Sequence, residues 1–133
     1  MADKIAIDLV APDRLLVSAD AEMVVVPGSE GDFGAMAGHQ PLISALRPGV
    51  VAIHDGGAPP DRYFVRGGFV EVTHERCTIL AEEAIPVAAL DRAALEQRIR
   101  DAEEDLADAA GDDARHRADH ELRNLNELLA AVS

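Results

Sequence analysis

Hydrophobic and polar positions alternate along the chain from Lys4 to about Val87. In the first such segment Ile5, Ile7 and Leu9 fall on one face, with polar or small residues between them. A period of two is typical of a strand with one buried face. Seven further segments are rich in β-branched or other apolar residues: 14–19, 21–26, 42–46, 50–54, 62–66, 69–73 and 76–81. Short strands at this spacing predict an antiparallel β-sandwich.

Glycine and proline separate these segments. They stand together at 27–28, 47–49 and 55–60. Glycine tolerates a positive φ and proline cannot donate a ladder hydrogen bond, so these positions predict turns. The run 55–60 joins two apolar segments and predicts a hairpin with a polar tip. The glycine-rich stretch 28–38 predicts tight turns at one end of the sandwich.

After Val87 the hydrophobic period changes to about 3.6, which predicts helices. The first stripe recurs at steps of four and three through Leu95, Ile99, Ala102, Leu106 and Ala109. Asp91 is its predicted N-cap and Gly111 its stop. A second stripe begins after Asp112 and Asp113 and contains Ala118, Leu122, Leu125, Leu129 and Val132. The loop between the two helices is short, so they are expected to lie antiparallel.

The chain is therefore expected to have an α+β fold with two domains, a β-sandwich over residues 1–87 and a helical hairpin over residues 88–133. Both helical stripes are narrow and rich in alanine. Such a hairpin buries little apolar surface by itself, so it is expected to lean on the sandwich or on another protein.

Composition excludes several classes of function. The net charge is −13, from 25 acidic and 12 basic residues, and only Lys4 is a lysine. Phosphate backbones and anionic lipids repel such a chain, so a nucleic-acid partner and direct membrane insertion are not expected. The N-terminus has no signal pattern and no stretch of about 20 apolar residues occurs, so a soluble cytoplasmic protein is expected. The single cysteine, Cys77, excludes an internal disulfide and is predicted to be a core residue.

No motif predicts catalysis or a metal. The stretch 28–38 lacks the Gly-Lys-Ser/Thr ending of a phosphate loop. His116 and His120 stand four apart, but Arg117 occupies the place of the glutamate of a zinc-hydrolase motif, so an exposed helix face is favoured. His39 is different, because it lies in a loop where exposure and contact are expected. With no nucleophile, base and orienting acid at recognisable spacing, the chain is not expected to be an enzyme.

Two blocks carry a resemblance to a known family. Residues 28–34 (GSEGDFG), continuing through 38–42 (GHQPL) to 46–49 (LRPG), closely resemble the signature of bacterial F-type ATP synthase epsilon subunits. Residues 66–72 (RGGFVEV) and 78–82 (TILAE) are similar to the later sandwich strands of that family. Together with the order of sandwich and hairpin, the resemblance covers essentially the whole chain.

The resemblance implies a sandwich of about ten strands at the foot of the central stalk, in contact with the gamma subunit and the c-ring. Such a subunit couples proton-driven rotation to ATP synthesis without being catalytic, and it would lie peripherally at the cytoplasmic face of the bacterial inner membrane. The stretch 28–38 and His39 match the end of the family's sandwich that faces the c-ring, with Glu30, Asp32 and His39 as contact residues. Each exposed pair with a ring arginine would contribute at most about 1 kcal/mol.

For the hairpin, the resemblance implies regulation of ATP hydrolysis through the alpha and beta subunits. Some members of the family also bind ATP through an Ile/Leu-Asp-x-x-Arg-Ala motif at the first helix. Here Leu90 and Asp91 match this motif, whereas Ala94 stands where its arginine is expected. Asp91, with Arg92 and Arg98 nearby, is the candidate nucleotide site, and the helix cap is the alternative role of Asp91.

Loss of that arginine removes a bidentate phosphate partner, so no bound cofactor is predicted, with ATP as the alternative. The basic residues of the second helix, Arg115, Arg117 and Arg123, are few among several acids, so any inhibitory clamp is expected to be weak and salt-sensitive. Two other functions stay open, an ATP-binding sensor and a free-standing β-sandwich adaptor.

Overall fold

The computed structural model describes residues 3–132. The predicted domains also include residues 1, 2 and 133, which lie outside the described residues. The expectation of no signal pattern rests partly on residues 1 and 2, so that part also lies outside the described residues. The contacts between residues divide the chain after Pro86 into two compact units.

The described part of the N-terminal unit contains eight strands. They are β1 (Ile5–Ala11), β2 (Arg14–Ala21), β3 (Met23–Gly28), β4 (Gly31–Ala35), β5 (Leu42–Ala45), β6 (Gly49–His54), β7 (Asp61–Val72) and β8 (Arg76–Pro86). Hydrogen bonds connect them in the order β2-β1-β8-β7-β6-β3-β4, and β5 pairs with β7 off this path. The predicted β-sandwich is confirmed, and its ladders are antiparallel except the one between β1 and β8, which run parallel.

The long strands β7 and β8 belong to both layers of the sandwich. β7 pairs with β6 through its first half and with β5 through its second half, and β8 runs beside both halves. Gly67 and Gly68, with φ of 70° and 102°, lie between the halves of β7. One layer is thus β2-β1-β8-β7-β5 and the other is β4-β3-β6-β7-β8. Counted once in each layer, the eight strands give the ten segments that the resemblance implied.

The core lies between the two layers and follows from the alternating pattern. Ile5, Ile7 and Leu9 of β1 are fully buried. Valines and isoleucines from the other strands pack with them, namely Val24, Val26, Val51, Ile53, Val65, Val70, Val72 and Ile79. Burial of each such residue contributes about 1.5–3 kcal/mol. Cys77 is part of this cluster, which confirms its prediction as a core residue.

Part of the predicted turns is strand instead, since Pro27 and Gly28 are the last residues of β3. Residues 31–35, expected to form turns, form β4, which pairs antiparallel with β3 from Gly28↔Gly31 to Val24↔Ala35. The intrinsic preference of Gly-Asp-Phe-Gly for a strand is low, so pairing with β3 overrides it. The hairpin predicted at 55–60 is present, since Ile53 of β6 lies opposite Asp61 of β7.

The C-terminal unit is a helical hairpin. A short 3-10 turn (Val87–Ala89) leads to α1 (Arg92–Asp108) and α2 (Asp112–Val132). Arg98 of α1 lies 3.4 Å from Glu121 of α2, in the register of antiparallel helices. Within the described residues, no helix is long and apolar enough to cross a membrane.

The buried face of α2 differs slightly from the predicted stripe. Leu125 is buried as predicted, but Leu128 and Ala131 take the buried positions expected for Leu129 and Val132. In α1 the predicted stripe is confirmed at Leu95 and Ala102. The shift of α2 is one residue, or about 100° around the helix axis.

Candidate functional site

The sandwich is open on the side where its two layers end in β4 and β5. Both are edge strands, because β4 pairs only with β3 and β5 pairs only with β7 among the described strands. Between them lies a groove of about 500 Å³, lined by residues 28–33, His39 and residues 42–45. Glu30, Asp32 and His39, the contact residues that the resemblance implied, all line this groove.

Asp32 already has a partner within the chain. The guanidinium of Arg47 donates a hydrogen bond to its carboxylate, and both side chains are exposed. Arg47 follows β5, and its backbone N–H donates to the carbonyl oxygen of Pro27 at 3.0 Å. This bond holds Arg47 beside the β3–β4 hairpin. An external cation would therefore compete with Arg47 for Asp32.

Glu30 lies exposed in the turn between β3 and β4. Within residues 3–132 its carboxylate forms no ion pair. It is thus the acid of the groove that is available to a cation from another protein.

His39 is held at the other end of the groove. Its Nδ1 lies 2.6 Å from the carbonyl oxygen of Gln40. A carbonyl only accepts, so Nδ1 carries the proton and Nε2 is left for another partner. The imidazole lies 6.2 Å from the ring of Phe33, centroid to centroid, and the N–H of Gly38 donates to the carbonyl oxygen of His74 at 2.7 Å. These contacts fix the loop that carries His39.

A second surface was not predicted from the sequence. On the outer face of the layer that ends in β5, Leu15, Phe69 and Leu80 are 58%, 59% and 52% exposed. The strand registers place them in one row across five strands, Leu15-Val10-Leu80-Phe69-Ala45. We call this row the apolar stripe. A row of exposed apolar side chains makes this face a candidate surface for contact with another protein.

The signal for the apolar stripe is present in the sequence but hard to read. Phe69 precedes the buried Val70 and Leu80 follows the buried Ile79, so each is an apolar residue at an outward position. Only the pairing of the strands shows that these outward residues are neighbours.

The three candidate nucleotide residues have partners within the hairpin. The Asp91 carboxylate accepts hydrogen bonds from the N–H groups of Ala93 and Ala94 at 3.0 and 3.3 Å, as an N-cap does. Arg92 lies 3.1 Å from Glu96 and Arg98 lies 3.4 Å from Glu121. The geometry thus brings each of the three to a structural partner.

Cys77 and the histidine pair His116 and His120 are the remaining reactive or metal-binding residue types that the sequence analysis considered. Burial raises the pKa of the Cys77 thiol from 9.0 to about 12, so it stays protonated at neutral pH. Among the described residues no three His, Cys, Asp or Glu side chains gather as a metal site would require, and this holds around His116 and His120.

Comparison with known proteins gives consistent matches over both units. The model of the β-sandwich domain of the ATP synthase delta/epsilon chain matches residues 4–87, and that of the C-terminal domain of the ATP synthase epsilon chain matches residues 91–132. The protein is 53% identical to the ATP synthase epsilon chain of Parvibaculum lavamentivorans, over 99% of this chain and 100% of the relative. It is 50% identical to that of Paramagnetospirillum magneticum, over all of both chains.

Two solved structures have the same fold. A subunit of the Euglena gracilis mitochondrial ATP synthase, described with OSCP, F1 and the c-ring, matches with a TM-score of 0.85 at 24% identity, over 98% of this chain and 82% of that one. A subunit of the Tetrahymena thermophila mitochondrial ATP synthase central stalk and c-ring matches with a TM-score of 0.66 at 14% identity, over 98% and 97%. At these identities the likeness concerns the fold alone.

Proposed function

The chain belongs to the ATP synthase epsilon-chain family, and on this premise we propose that its sandwich links the gamma subunit to the c-ring, so that proton-driven rotation reaches the catalytic head. The protein is a non-catalytic subunit of F-type ATP synthase. The chemistry of ATP synthesis then lies on other subunits. We place the subunit at the cytoplasmic face of the bacterial inner membrane, held there by its partners.

The observation that carries this proposal is that the sandwich has two exposed surfaces of different chemistry. A coupling element needs two contacts, one on each of the parts that it joins. The apolar stripe suits a permanent contact, because obligate interfaces are rich in apolar area, and we assign it to gamma. The groove offers the polar side chains of Glu30 and His39 among apolar ones, and we assign it to the c-ring. The two surfaces meet at β5, where Ala45 belongs to both.

Within the groove we assign the first contact to Glu30 rather than Asp32. Asp32 is neutralised by Arg47, whereas Glu30 has no ion pair within residues 3–132. His39 offers Nε2 as a second polar contact. Each exposed pair contributes at most about 1 kcal/mol, so the groove aligns the partner more than it holds it.

For the hairpin we propose a regulatory role in ATP hydrolysis through the alpha and beta subunits, without a bound cofactor. Arg123 pairs with Asp119, which leaves Arg115 and Arg117 as the cations of α2 without an ion pair in the described residues. A clamp formed by two exposed arginines is weak and is screened by salt. The capping bonds of Asp91 favour a structural role over ATP binding at α1.

Cross-linking in the assembled enzyme tests the assignment of the groove. A Glu30→Cys subunit is expected to cross-link to the polar loops of the c-ring. Asp20→Cys is the matched control, because Asp20 is an exposed acid on β2, the opposite edge of its layer. Equal yields from both positions would contradict the assignment of the groove. Failure of the protein to co-purify with gamma would contradict the proposed function as a whole.

A further inference from the structure

The edge of β5 that faces the groove has hydrogen-bonding groups directed away from β7. The N–H of Leu46 donates to the carbonyl oxygen of Gly68 at 2.9 Å, in the same register as the β5–β7 ladder. Hydrogen-bonded positions in an antiparallel ladder alternate, so Leu42 and Ser44 bond to β7 and Ile43 does not. The N–H and C=O of Ile43 therefore point towards the groove.

Another bond supports this direction. Ala45 has the same parity as Ile43, and its carbonyl oxygen accepts a hydrogen bond from the N–H of Ser29, at 2.9 Å, on the β3–β4 side. The turn between β3 and β4 thus occupies one end of the β5 edge. The part beside Ile43 is left open to the groove.

The β5 edge is short, and Pro41 before it has no N–H to donate, so its open pairing position is Ile43, which no charged residue of β5 protects. Natural edge strands carry charges or proline that prevent pairing with another protein. The edge strand β2 contains Arg14 and Asp20, and β4 contains Asp32. The four residues of β5, Leu-Ile-Ser-Ala, contain neither charge nor proline, and Ile43 is 70% exposed. Such an edge is a template for another strand.

The charge of the groove selects between possible strands. Glu30 is the acid of the groove without an ion pair in the described residues, and the whole chain has a net charge of −13. A second copy of the protein would bring two such acidic edges together, which is unfavourable. A segment with arginine or lysine would instead meet Glu30 with opposite charge.

We propose that the groove binds an extended, basic segment of a partner protein, which adds as a strand to β5. Its main chain pairs with the N–H and C=O of Ile43, and one of its basic side chains reaches Glu30. Its inward side chains meet Phe33 and Leu42, which line the groove. The inference rests on the proposed function, because that function assigns the groove to contact with a partner and the inference describes how the groove recognises that partner.

Amide hydrogen exchange on the whole protein tests the pairing. The probe is a peptide of about ten residues that alternates valine and arginine, the pattern of an added strand. At saturating peptide the exchange of the Ile43 amide is expected to slow at least about tenfold. The Ser44 amide, which already bonds to β7, is expected to keep its rate. An unchanged Ile43 amide in the saturated complex, or no binding of the peptide, would overturn the inference.

Variants test the charge and the edge separately. Glu30→Gln is expected to weaken the peptide about fivefold, whereas the control Asp20→Asn leaves its affinity unchanged. Ile43→Lys, which places a charge on the edge without removing a core residue, is expected to abolish binding. Equal affinity of all three variants and the wild type would contradict the inference.

One further outcome distinguishes a basic segment from another occupant of the groove. Another distinguishes failure of this inference from failure of the proposed function. Protection of the Ile43 amide that rises with protein concentration, without peptide, would identify a second copy as the occupant and overturn the inference. Assembly with gamma and the c-ring without binding of the peptide would overturn this inference and leave the proposed function intact. Failure to assemble with them would overturn the proposed function.

Discussion

Arg47 and Asp32, fifteen positions apart in the sequence, form an ion pair across the open edge of the sandwich. The pair joins the segment after β5 to β4, so it connects the ends of the two layers. Its presence means that one of the two groove acids is already neutralised before any partner arrives.

Removal of this pair is expected to have a small effect on stability. A double-mutant cycle with Asp32→Asn and Arg47→Gln should give a coupling of about 0.2–1 kcal/mol, because both side chains are exposed. Urea unfolding at low and high salt measures it, and the coupling should fall as salt rises. The helix pair Arg123 and Asp119 is a suitable comparison, with about 0.3–0.5 kcal/mol expected. A coupling that does not depend on salt would contradict the assignment of an exposed ion pair.

Gly68→Ala is expected to destabilise the sandwich strongly. A Cβ at Gly68 would lie 1.8 Å from the carbonyl oxygen of Leu80, and the φ of +102° is unfavourable for alanine. We expect a loss of about 3 kcal/mol or more in the free energy of unfolding. Gly57→Ala is the matched control, since a Cβ there meets nothing within 4 Å. Similar urea midpoints for the two variants would show that β7 does not need glycine at its bend.

The apolar stripe should matter for assembly and not for folding. Phe69→Ser and Leu80→Ser change side chains that are more than half exposed, so each should alter stability by no more than about 0.5 kcal/mol. Each is expected to weaken the complex with gamma by about 1 kcal/mol or more. Arg62→Ser, an exposed change elsewhere on β7, serves as the control in the binding titration. Wild-type affinity of both stripe variants would exclude the stripe as the gamma surface.

Cys77 gives a prediction for alkaline pH. Its pKa is raised to about 12 in the folded state from 9.0, so the unfolded protein loses the thiol proton first. Stability from this group is therefore complete below pH 9.0 and falls as pH rises from 9.0 to about 12. The decline should be smaller in Cys77→Ala when the two are compared by urea unfolding. A thiol reagent at about pH 8 should react with the unfolded wild type and not with the folded one.

Variants of Asp91 distinguish its role as a helix cap from a role in binding nucleotide. Asp91→Ala should reduce the stability of the hairpin by about 1 kcal/mol, and Asp91→Ser, which also caps, should restore most of it. Helix content against temperature measures both. Calorimetry with millimolar ATP should show no heat for the wild type. Binding that is lost in Asp91→Ser, where the cap is kept and the carboxylate is not, would instead support a nucleotide site.

The periods of the hydrophobic pattern predicted the two kinds of structure well, because burial on one face imposes a period of two in strands and 3.6 in helices. The pattern did not predict β4, since Gly31 and Gly34 carry no apolar signal and the strand depends on β3 for its hydrogen bonds. In α2 the alanines and leucines permit more than one stripe, so the choice of Leu128 over Leu129 depends on packing.

The candidate site was predictable only in part. The resemblance placed three residues at one end of the sandwich. The structure places these residues, Glu30, Asp32 and His39, along one groove. Arg47 was not predicted as the partner of Asp32. β5 pairs with β7 outside the main order of strands, and only this pairing brings Arg47, which follows β5, to the β3–β4 hairpin. The apolar stripe needed the register of five strands, which local sequence does not determine.

The parallel ladder between β1 and β8 determines when the sandwich can form. Ile7 pairs with Cys77 and Leu9 with Ile79, so the first strand obtains this partner only when the last strand is present. Contacts so distant in sequence are slow to form. During synthesis, β1 must wait until β8 has left the ribosome, and until then the apolar face of β1 is a surface on which chaperones can act.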